Sequence, residues 1–277
     1  MDIAITTGIG IAALSFAAEY VDSSLGMGYG TTLAPVLLLF GFAPLEVVPA
    51  LLVSQLLAGL LSGFVHHTMG NVDLKPRTLR PSVIVQRIRQ FGVREGLRRG
   101  LPRGLQVALV ITAASVVGTV AAVFLAVNLP ERVLRIYVAA LVLAIGIVIL
   151  ATIRVHLAFS WKRITALGML AAFNKGISGG GYGPLVTGGQ VLSGVPVRET
   201  VGITAVAEAF TCAVGIAAYA FQPAAVWSLA PYLAGGALLS VPLTGLTVRA
   251  IRPEWLRVGI GVITIALGLT TILVTVL

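Results

Sequence analysis

The sequence contains little charge and almost no cysteine. Of its 277 residues only 10% are charged and 57% are hydrophobic. A soluble domain carries about 25% charged residues, so the composition excludes a soluble globular protein and indicates an all-α polytopic membrane protein. The one cysteine, Cys212, excludes an intrachain disulfide and a cysteine-based metal site. We therefore expect no metal site and no cofactor.

Basic residues are also missing from the start of the chain. Because "MDIAITTGIG" lacks the basic region of a signal peptide, we expect the first apolar segment to be retained as a membrane span. The net charge of +9 would suggest a nucleic-acid partner in a soluble protein. In a membrane protein Lys and Arg collect on the cytoplasmic face, so we expect no nucleic-acid partner.

The basic residues that are present cluster in one loop. Nine of the 19 Lys and Arg residues lie between Lys75 and Arg103, where Ile84, Ile88 and Phe91 recur at helical spacing. This pattern is typical of an interfacial helix on anionic lipid headgroups, and a mobile solvated loop is the alternative. We expect the whole loop, 67–103, to be cytoplasmic.

Two glycine-rich stretches 153 positions apart reveal an internal repeat. "LGMGYG" at 25–30 matches "SGGGYG" at 178–183, and the match extends over 19–66 and 172–219. Later, "PERVLR" at 130–135 resembles "PEWLR" at 253–257, at an offset of 123. The two offsets differ by about the length of the basic loop. The sequence therefore predicts two repeats, 1–153 and 154–277, with the insertion 67–103 in the first.

Each repeat offers about five apolar segments, of which the second is short. Segments 30–42 and 183–194 give about 18 Å of helix, too little for a hydrocarbon core of about 30 Å. They either re-enter the membrane or cross it obliquely.

The distribution of Lys and Arg predicts opposite orientations for the two halves. It places the protein in the cytoplasmic membrane of the cell, with both termini on the outer side. Only Arg132 and Arg135 break this pattern. Inverted repeats with broken helices are typical of secondary transporters.

The glycines predict broken helices whose N-termini bind an anion. Free N–H groups and the helix dipole at such a terminus favour negative charge, and close helix packing through small residues is the alternative. The substrate-binding candidates are the residues of both breaks and polar side chains near them: Gly28, Tyr29, Gly30, Thr31, Thr32, Gln55, Asn174, Lys175, Ser178, Gly181, Tyr182, Gly183, Thr187 and Gln190.

Ionisable residues inside the spans are costly and point to function. Glu19, Asp22 and Glu208 are predicted to couple transport to protons, and Lys175 to bind the anion. Lys175 occupies the repeat position of Asp22, so we expect the two to form a buried pair. A role in packing alone is the alternative. His66 is expected at the membrane interface.

The paired breaks resemble the TauE/SafE family, the sulfite exporter and organosulfonate permease group. The resemblance rests on "YVDSSLGMGYGTTLAPVLLLFGFAPLEVVPALLVSQ" and "FNKGISGGGYGPLVTGGQVLSGVPVRETVGITAVAE". It implies secondary transport of small sulfur-containing anions such as sulfite or sulfonates. The first copy departs from the commoner run of several glycines, which indicates a divergent branch.

The predicted function is a secondary transporter of a small anion, most simply a sulfur oxyanion or sulfonate, with proton coupling and alternating access between the repeats. An anion channel with the same helices, or a carrier of a small carboxylate, is the alternative. A membrane enzyme with a Ser178–Lys175 dyad lacks a third orienting group. The sequence leaves open a homo-oligomer, the coupling ion and the direction of transport.

Overall fold

A computed structural model describes residues 5–77, 80–151, 160–192 and 195–247, together with a few residues between 258 and 273. The repeat boundary at 153/154 and the motif at 253–257 lie outside these residues. The described part contains helices and no strand, which confirms the predicted all-α fold. Its helices are α1 (Ile5–Leu25), α2 (Tyr29–Leu39), α3 (Pro44–Thr68), α4 (Pro81–Gly100), α5 (Arg103–Asn128), α6 (Glu131–Ala151), α7 (Trp161–Ser178), α8 (Tyr182–Leu192), α9 (Val197–Ala220) and α10 (Ala230–Thr247).

Three of these helices are long and apolar enough to cross a membrane: α3, α5 and the part of α9 from Arg198 to Ala220. By contrast, α2 and α8 have 11 residues each. At 1.5 Å per residue each measures about 16 Å, roughly half the thickness of a hydrocarbon core. Both short helices begin at a tyrosine, and the two tyrosines are 153 positions apart, as in the sequence repeat.

The two halves of the chain are interleaved. The first helix, α1, packs along α10, while α7 packs along α5, and α3 contacts α9 between them. Three helices of the first half therefore each pack against a helix of the second half. Large apolar side chains such as Leu51 and Ile111 are fully buried where these helices meet.

Positive backbone φ angles end the helices at both glycine-rich stretches. Gly26 and Gly28 have φ of 72° and 131°, and Gly179 and Gly181 have φ of 70° and 79°. Side chains of L-residues rarely adopt these angles, so glycine is needed where α1 and α7 stop. The N–H of Gly179 closes α7 by donating to the carbonyl of Lys175 at 2.8 Å. The predicted helix breaks are present at both places.

Arg135 is one of the two residues that break the predicted distribution of basic residues, and its contacts account for its position. Its guanidinium donates to the carbonyl oxygens of Leu38 (2.8 Å) and Phe42 (2.9 Å), at the C-terminus of α2. Glu131 accepts a further bond from it at 2.7 Å. The arginine therefore satisfies helix-end carbonyls, so its position is set by this contact and does not report which side of the membrane is cytoplasmic.

The basic loop contains the helix α4, which is kinked at Gly92 (φ 76°). No other described helix packs extensively against it. Phe91 is 39% exposed, and the guanidinium of Arg99 stacks over its ring at 4.1 Å. The side chains of Ile84 and Ile88 lie outside the described part. Helix formation in this loop agrees with the sequence, and its contact with lipid stays a prediction.

Candidate functional site

The two helix breaks contact each other backbone to backbone. A methyl group on Gly30 would collide with the carbonyl oxygen of Gly179 and lie 2.7 Å from the Cα of Gly180. On the other side, a methyl group on Gly183 would lie 2.5 Å from the carbonyl oxygen of Gly26. Each short helix therefore begins directly against the break of the other half, and the described conformation has no space between them for a ligand.

Polar groups at the first break form hydrogen bonds with other groups of the same break. The backbone N–H of Tyr29 donates to the carboxylate of Asp22 at 3.0 Å, so an acid of the chain itself occupies the N-terminus of α2. The hydroxyls of Thr31 and Thr32 donate to the carbonyl of Gly28, at 3.1 and 2.7 Å. These predicted anion ligands are buried or half-buried and already hydrogen-bonded in this conformation.

At the second break, Ser178 and Asn174 stabilise the backbone and a neighbouring helix. The Ser178 hydroxyl donates to the carbonyl of Asn174 at 2.7 Å and accepts the N–H of Gly180 at 3.1 Å. The Asn174 side chain accepts the phenol of Tyr137 on α6 at 2.8 Å. The Ser178 hydroxyl is thus engaged with the backbone and does not bond Lys175, so the dyad considered from sequence is absent.

A buried ion pair lies beside the breaks. The ammonium Nζ of Lys175, on a residue only 1% exposed, donates to Glu208 Oε1 at 2.7 Å. The same oxygen accepts the Nε2 of Gln55 at 3.0 Å. The predicted pairing of Lys175 with Asp22 is therefore wrong: the partner is Glu208, because α9 carries its acid to the end of α7 while Asp22 turns back to the start of α2.

The two tyrosines of the breaks point to different partners. The Tyr29 hydroxyl is hydrogen-bonded to Ser15 at 2.8 Å and to Ser54. The Tyr182 hydroxyl accepts a bond from Thr211 at 3.2 Å. Both rings are almost completely buried, so the phenols hold α1, α3 and α9 against the breaks.

A second polar cluster joins the breaks at α8. The Thr187 hydroxyl donates to the carbonyl of Gly26 at 2.6 Å and lies 2.9 Å from the hydroxyl of Thr204. Gln190 Nε2 also donates to the Thr204 hydroxyl, at 2.9 Å. The predicted polar stripe on α8 therefore faces α9 and the end of α1, with all of these side chains buried.

A small cavity, with room for about one water molecule, lies next to the ion pair between α1, α3 and α9. Its lining consists of polar residues, three of them acidic, and of small or apolar ones: Glu19, Asp22, Ser23, Gly26, Gln55, Gly59, Ser62, Val201, Thr204, Ala205 and Glu208. The three predicted proton-coupling acids thus share one cavity. Sequence reasoning missed Ser62, although Gln55, Gly59 and Ser62 follow the same i, i+4, i+7 spacing that indicated the stripe on α9.

His66 is fully buried inside the protein, and its expected position at the membrane interface stays a prediction. Its Nε2 donates to the carbonyl of Ser23 at 2.9 Å, and its Nδ1 accepts from the side chain of Asn71 at 3.0 Å. The histidine therefore ties the end of α3 to the end of α1, directly behind the cavity.

Comparisons with known proteins identify the family of the chain. The profile of the family described as "Sulfite exporter TauE/SafE" matches residues 90–271. The chain is 26% identical to "Probable membrane transporter protein YtnM" of Bacillus subtilis (strain 168) over 267 residues, which cover 90% of this chain and 77% of the relative. No solved structure matches the chain. This chain therefore belongs to the sulfite exporter TauE/SafE family of membrane transporters.

Proposed function

We propose that the protein is a secondary transporter of a small sulfur oxyanion or sulfonate in the cytoplasmic membrane. The family description names a sulfite exporter, and the similar Bacillus protein is named a probable membrane transporter. The observation that carries the proposal is the buried Lys175–Glu208 pair beside two broken helices in contact. Burying an ammonium group costs desolvation free energy, so a buried lysine points to a function. A carboxylate partner that an anion can replace would supply that function.

The ion pair supports coupling of the anion to a proton. An arriving anion competes with Glu208 for the Lys175 ammonium, because both are negative. Protonation of Glu208 removes that competition and leaves Lys175 free to bind the anion by a charge-assisted hydrogen bond. Anion and proton then bind together, and together they carry no net charge if the anion is monovalent.

The second break is the better anion site of the two. At the first, Asp22 accepts the N–H of Tyr29 and brings negative charge to the N-terminus of α2. Its repeat equivalent is Lys175, which has no acceptor atom and brings positive charge instead. The start of α8, at Tyr182 and Gly183, therefore lacks a built-in competitor. We place the anion there, with Lys175 as its cationic partner.

Alternating access fits the contact between the halves. Gln55 and Glu208 are equivalent in the repeat and are hydrogen-bonded to each other, which supports a two-fold relation between the halves at α3 and α9. We propose that the halves have opposite orientation, that α2 and α8 re-enter the membrane, and that the halves rock about this contact. The contact of Gly183 with Gly26 keeps the anion site closed in the described conformation.

The same proposal places the termini outside the cell and loop 67–103 in the cytoplasm. The exposed Phe91 and the arginines of α4 suit a helix lying on anionic headgroups. This surface lies apart from the Lys175 site, so we assign it to membrane contact and not to transport.

Counterflow in proteoliposomes tests the function. Vesicles loaded with unlabelled sulfite and diluted into a trace of radiolabelled sulfite should accumulate label transiently, because a carrier exchanges one anion for another. A channel would only equilibrate the label. Lys175→Met should abolish accumulation, whereas the matched control Lys162→Met, an exposed lysine on the same helix, should not change it.

A further variant separates substrate binding from packing. If Lys175 serves only to neutralise Glu208, the double change Lys175→Met with Glu208→Gln removes both charges and should restore stability and transport together. The proposal expects restored thermal stability without restored counterflow. Normal counterflow by the double variant would show that Lys175 is structural.

A further inference from the structure

In the part of the chain that the structure describes, three buried oxygen atoms around the acidic cavity have no hydrogen-bond partner. They are Glu19 Oε2, Gln55 Oε1 and Ser62 Oγ. The three residues are 2%, 3% and 1% exposed, and all three line the cavity. Buried polar atoms are hydrogen-bonded in the great majority of cases, so three unpartnered oxygens at one cavity point to a ligand.

The orientation of the Gln55 amide shows what kind of ligand this is. Its Nε2 donates to Glu208 Oε1 at 3.0 Å, which leaves the carbonyl oxygen as the free end. Glu19 uses one carboxylate oxygen to accept the Ser23 hydroxyl at 2.6 Å, and the other oxygen is free. Both free atoms are acceptors, so an anion is repelled and a cation is favoured.

The charges around the cavity also favour a cation. Glu208 is neutralised by Lys175, and Asp22 accepts a backbone N–H at the N-terminus of α2. Among the described residues, the remaining acid, Glu19, is hydrogen-bonded only to the Ser23 hydroxyl. In addition, Glu19, Ser23 and Gly26 belong to the C-terminal end of α1 or follow it, where the helix dipole is negative.

We propose that this cavity is a sodium site, with Glu19 Oε2, Gln55 Oε1 and Ser62 Oγ as ligands. Na⁺ is a hard cation that takes oxygen ligands, as Ca²⁺ and Mg²⁺ do. One carboxylate with two neutral oxygens matches a single positive charge. Ca²⁺ sites usually have several carboxylate ligands, and no group of three or more His, Cys, Asp or Glu in the described part of the chain is arranged to hold a metal.

Gln55 connects this site to the ion pair. Its carbonyl oxygen faces the cavity while its amide nitrogen donates to Glu208, the partner of Lys175. A cation bound to the carbonyl oxygen therefore fixes the amide that holds Glu208. In a transporter this link makes Na⁺ a coupling ion. That consequence rests on the proposed anion transport, whereas the sodium site itself does not.

Thermal unfolding of the purified protein tests the site without any sulfur anion. The midpoint is measured in NaCl, KCl and choline chloride at equal ionic strength. A ligand that binds only the folded state raises the midpoint with its concentration. We expect a saturable rise in Na⁺ that neither K⁺ nor choline reproduces at the same concentration.

Two ligand variants and one control locate the effect. Glu19→Gln should abolish the Na⁺-dependent rise, and Ser62→Ala should weaken the apparent Na⁺ affinity by about tenfold or more, a loss seen even for partners outside the metal's first shell. The control Ser240→Ala removes a buried hydroxyl on α10 that donates to the carbonyl of Ala237, and it should keep the full response. If Glu19→Gln does not fold, Ser62→Ala still decides.

Failure of the site and failure of anion transport give different results. Equal midpoints in Na⁺ and choline overturn the sodium site, and a midpoint that then responds to pH alone assigns the cavity to a proton. A Na⁺ response unchanged in Ser62→Ala overturns it too. Sulfite counterflow that runs equally in choline rejects sodium coupling while the transport function stands. A Na⁺ response without any counterflow rejects the function while the site stands.

Discussion

The contact between the two breaks makes Gly30→Ala the most informative stability variant. Its new methyl group would collide with the carbonyl oxygen of Gly179 and approach the Gly180 Cα to 2.7 Å. Both are backbone atoms, so no side chain can rotate away. Overpacking of this kind costs about 1–3 kcal/mol, and a backbone clash belongs at the upper end. At about 2–4 °C per kcal/mol in domains of 150–250 residues, we expect the midpoint to fall by about 6–12 °C.

The matched control is Gly188→Ala on α8, where a methyl group would meet no atom of the described residues within 4 Å. Alanine is favoured over glycine inside a helix by about 0.5–1 kcal/mol, so this variant should be as stable as the original or more stable. Both midpoints are measured by thermal unfolding in detergent. A Gly30→Ala protein with an unchanged midpoint would refute the direct contact of the breaks.

Two further variants test the ends of the bundle. Arg135→Met removes charge-assisted bonds to the carbonyls of Leu38 in α2 and of Phe42 just after it, and it should cost about 1.5–3 kcal/mol in thermal unfolding. Glu131→Gln breaks only an exposed pair and should cost at most about 1 kcal/mol. Equal losses would contradict the capping role. Trypsin should cut α4 more slowly in nanodiscs of anionic lipid than of neutral lipid, because each basic residue near an anionic surface contributes about 1 kcal/mol. Equal cleavage rates would contradict lipid contact.

The helix breaks could be predicted from the sequence because their cause is local. Consecutive glycines in an apolar chain disfavour a continuous helix, and the same spacing in both halves places the starts of α2 and α8 at equivalent tyrosines. The lengths of the short helices follow from the same pattern. The predicted family is confirmed by the profile match over residues 90–271.

The partner of Lys175 could not be predicted because the repeat shows which residues are equivalent and does not show which of them are in contact. Asp22 and Lys175 are equivalent but separate, since Asp22 bonds the backbone of Tyr29. Gln55 and Glu208 are also equivalent, and they touch because α3 packs on α9. Which equivalent residues meet depends on how the halves pack, and that information is not local.

The buried position of His66 and the role of Ser62 were missed for a related reason. Both lie toward the end of α3, where a sequence pattern suggests the membrane interface. The chain after α3 folds back, however, and Asn71 covers the histidine. The three unpartnered oxygens are likewise a property of the assembled helices, because Glu19 comes from α1 and the other two from α3.

The pH dependence of sulfonate affinity tests most directly the central claim, that the anion replaces Glu208 on Lys175. A small alkyl sulfonate keeps its charge throughout the assay, so any pH dependence belongs to the protein. Its affinity should rise as the pH falls, approaching tenfold per pH unit for one coupled proton. In Glu208→Gln the affinity should be independent of pH and close to the low-pH value of the original protein. An unchanged pH dependence in Glu208→Gln, or loss of binding in it, would contradict the account.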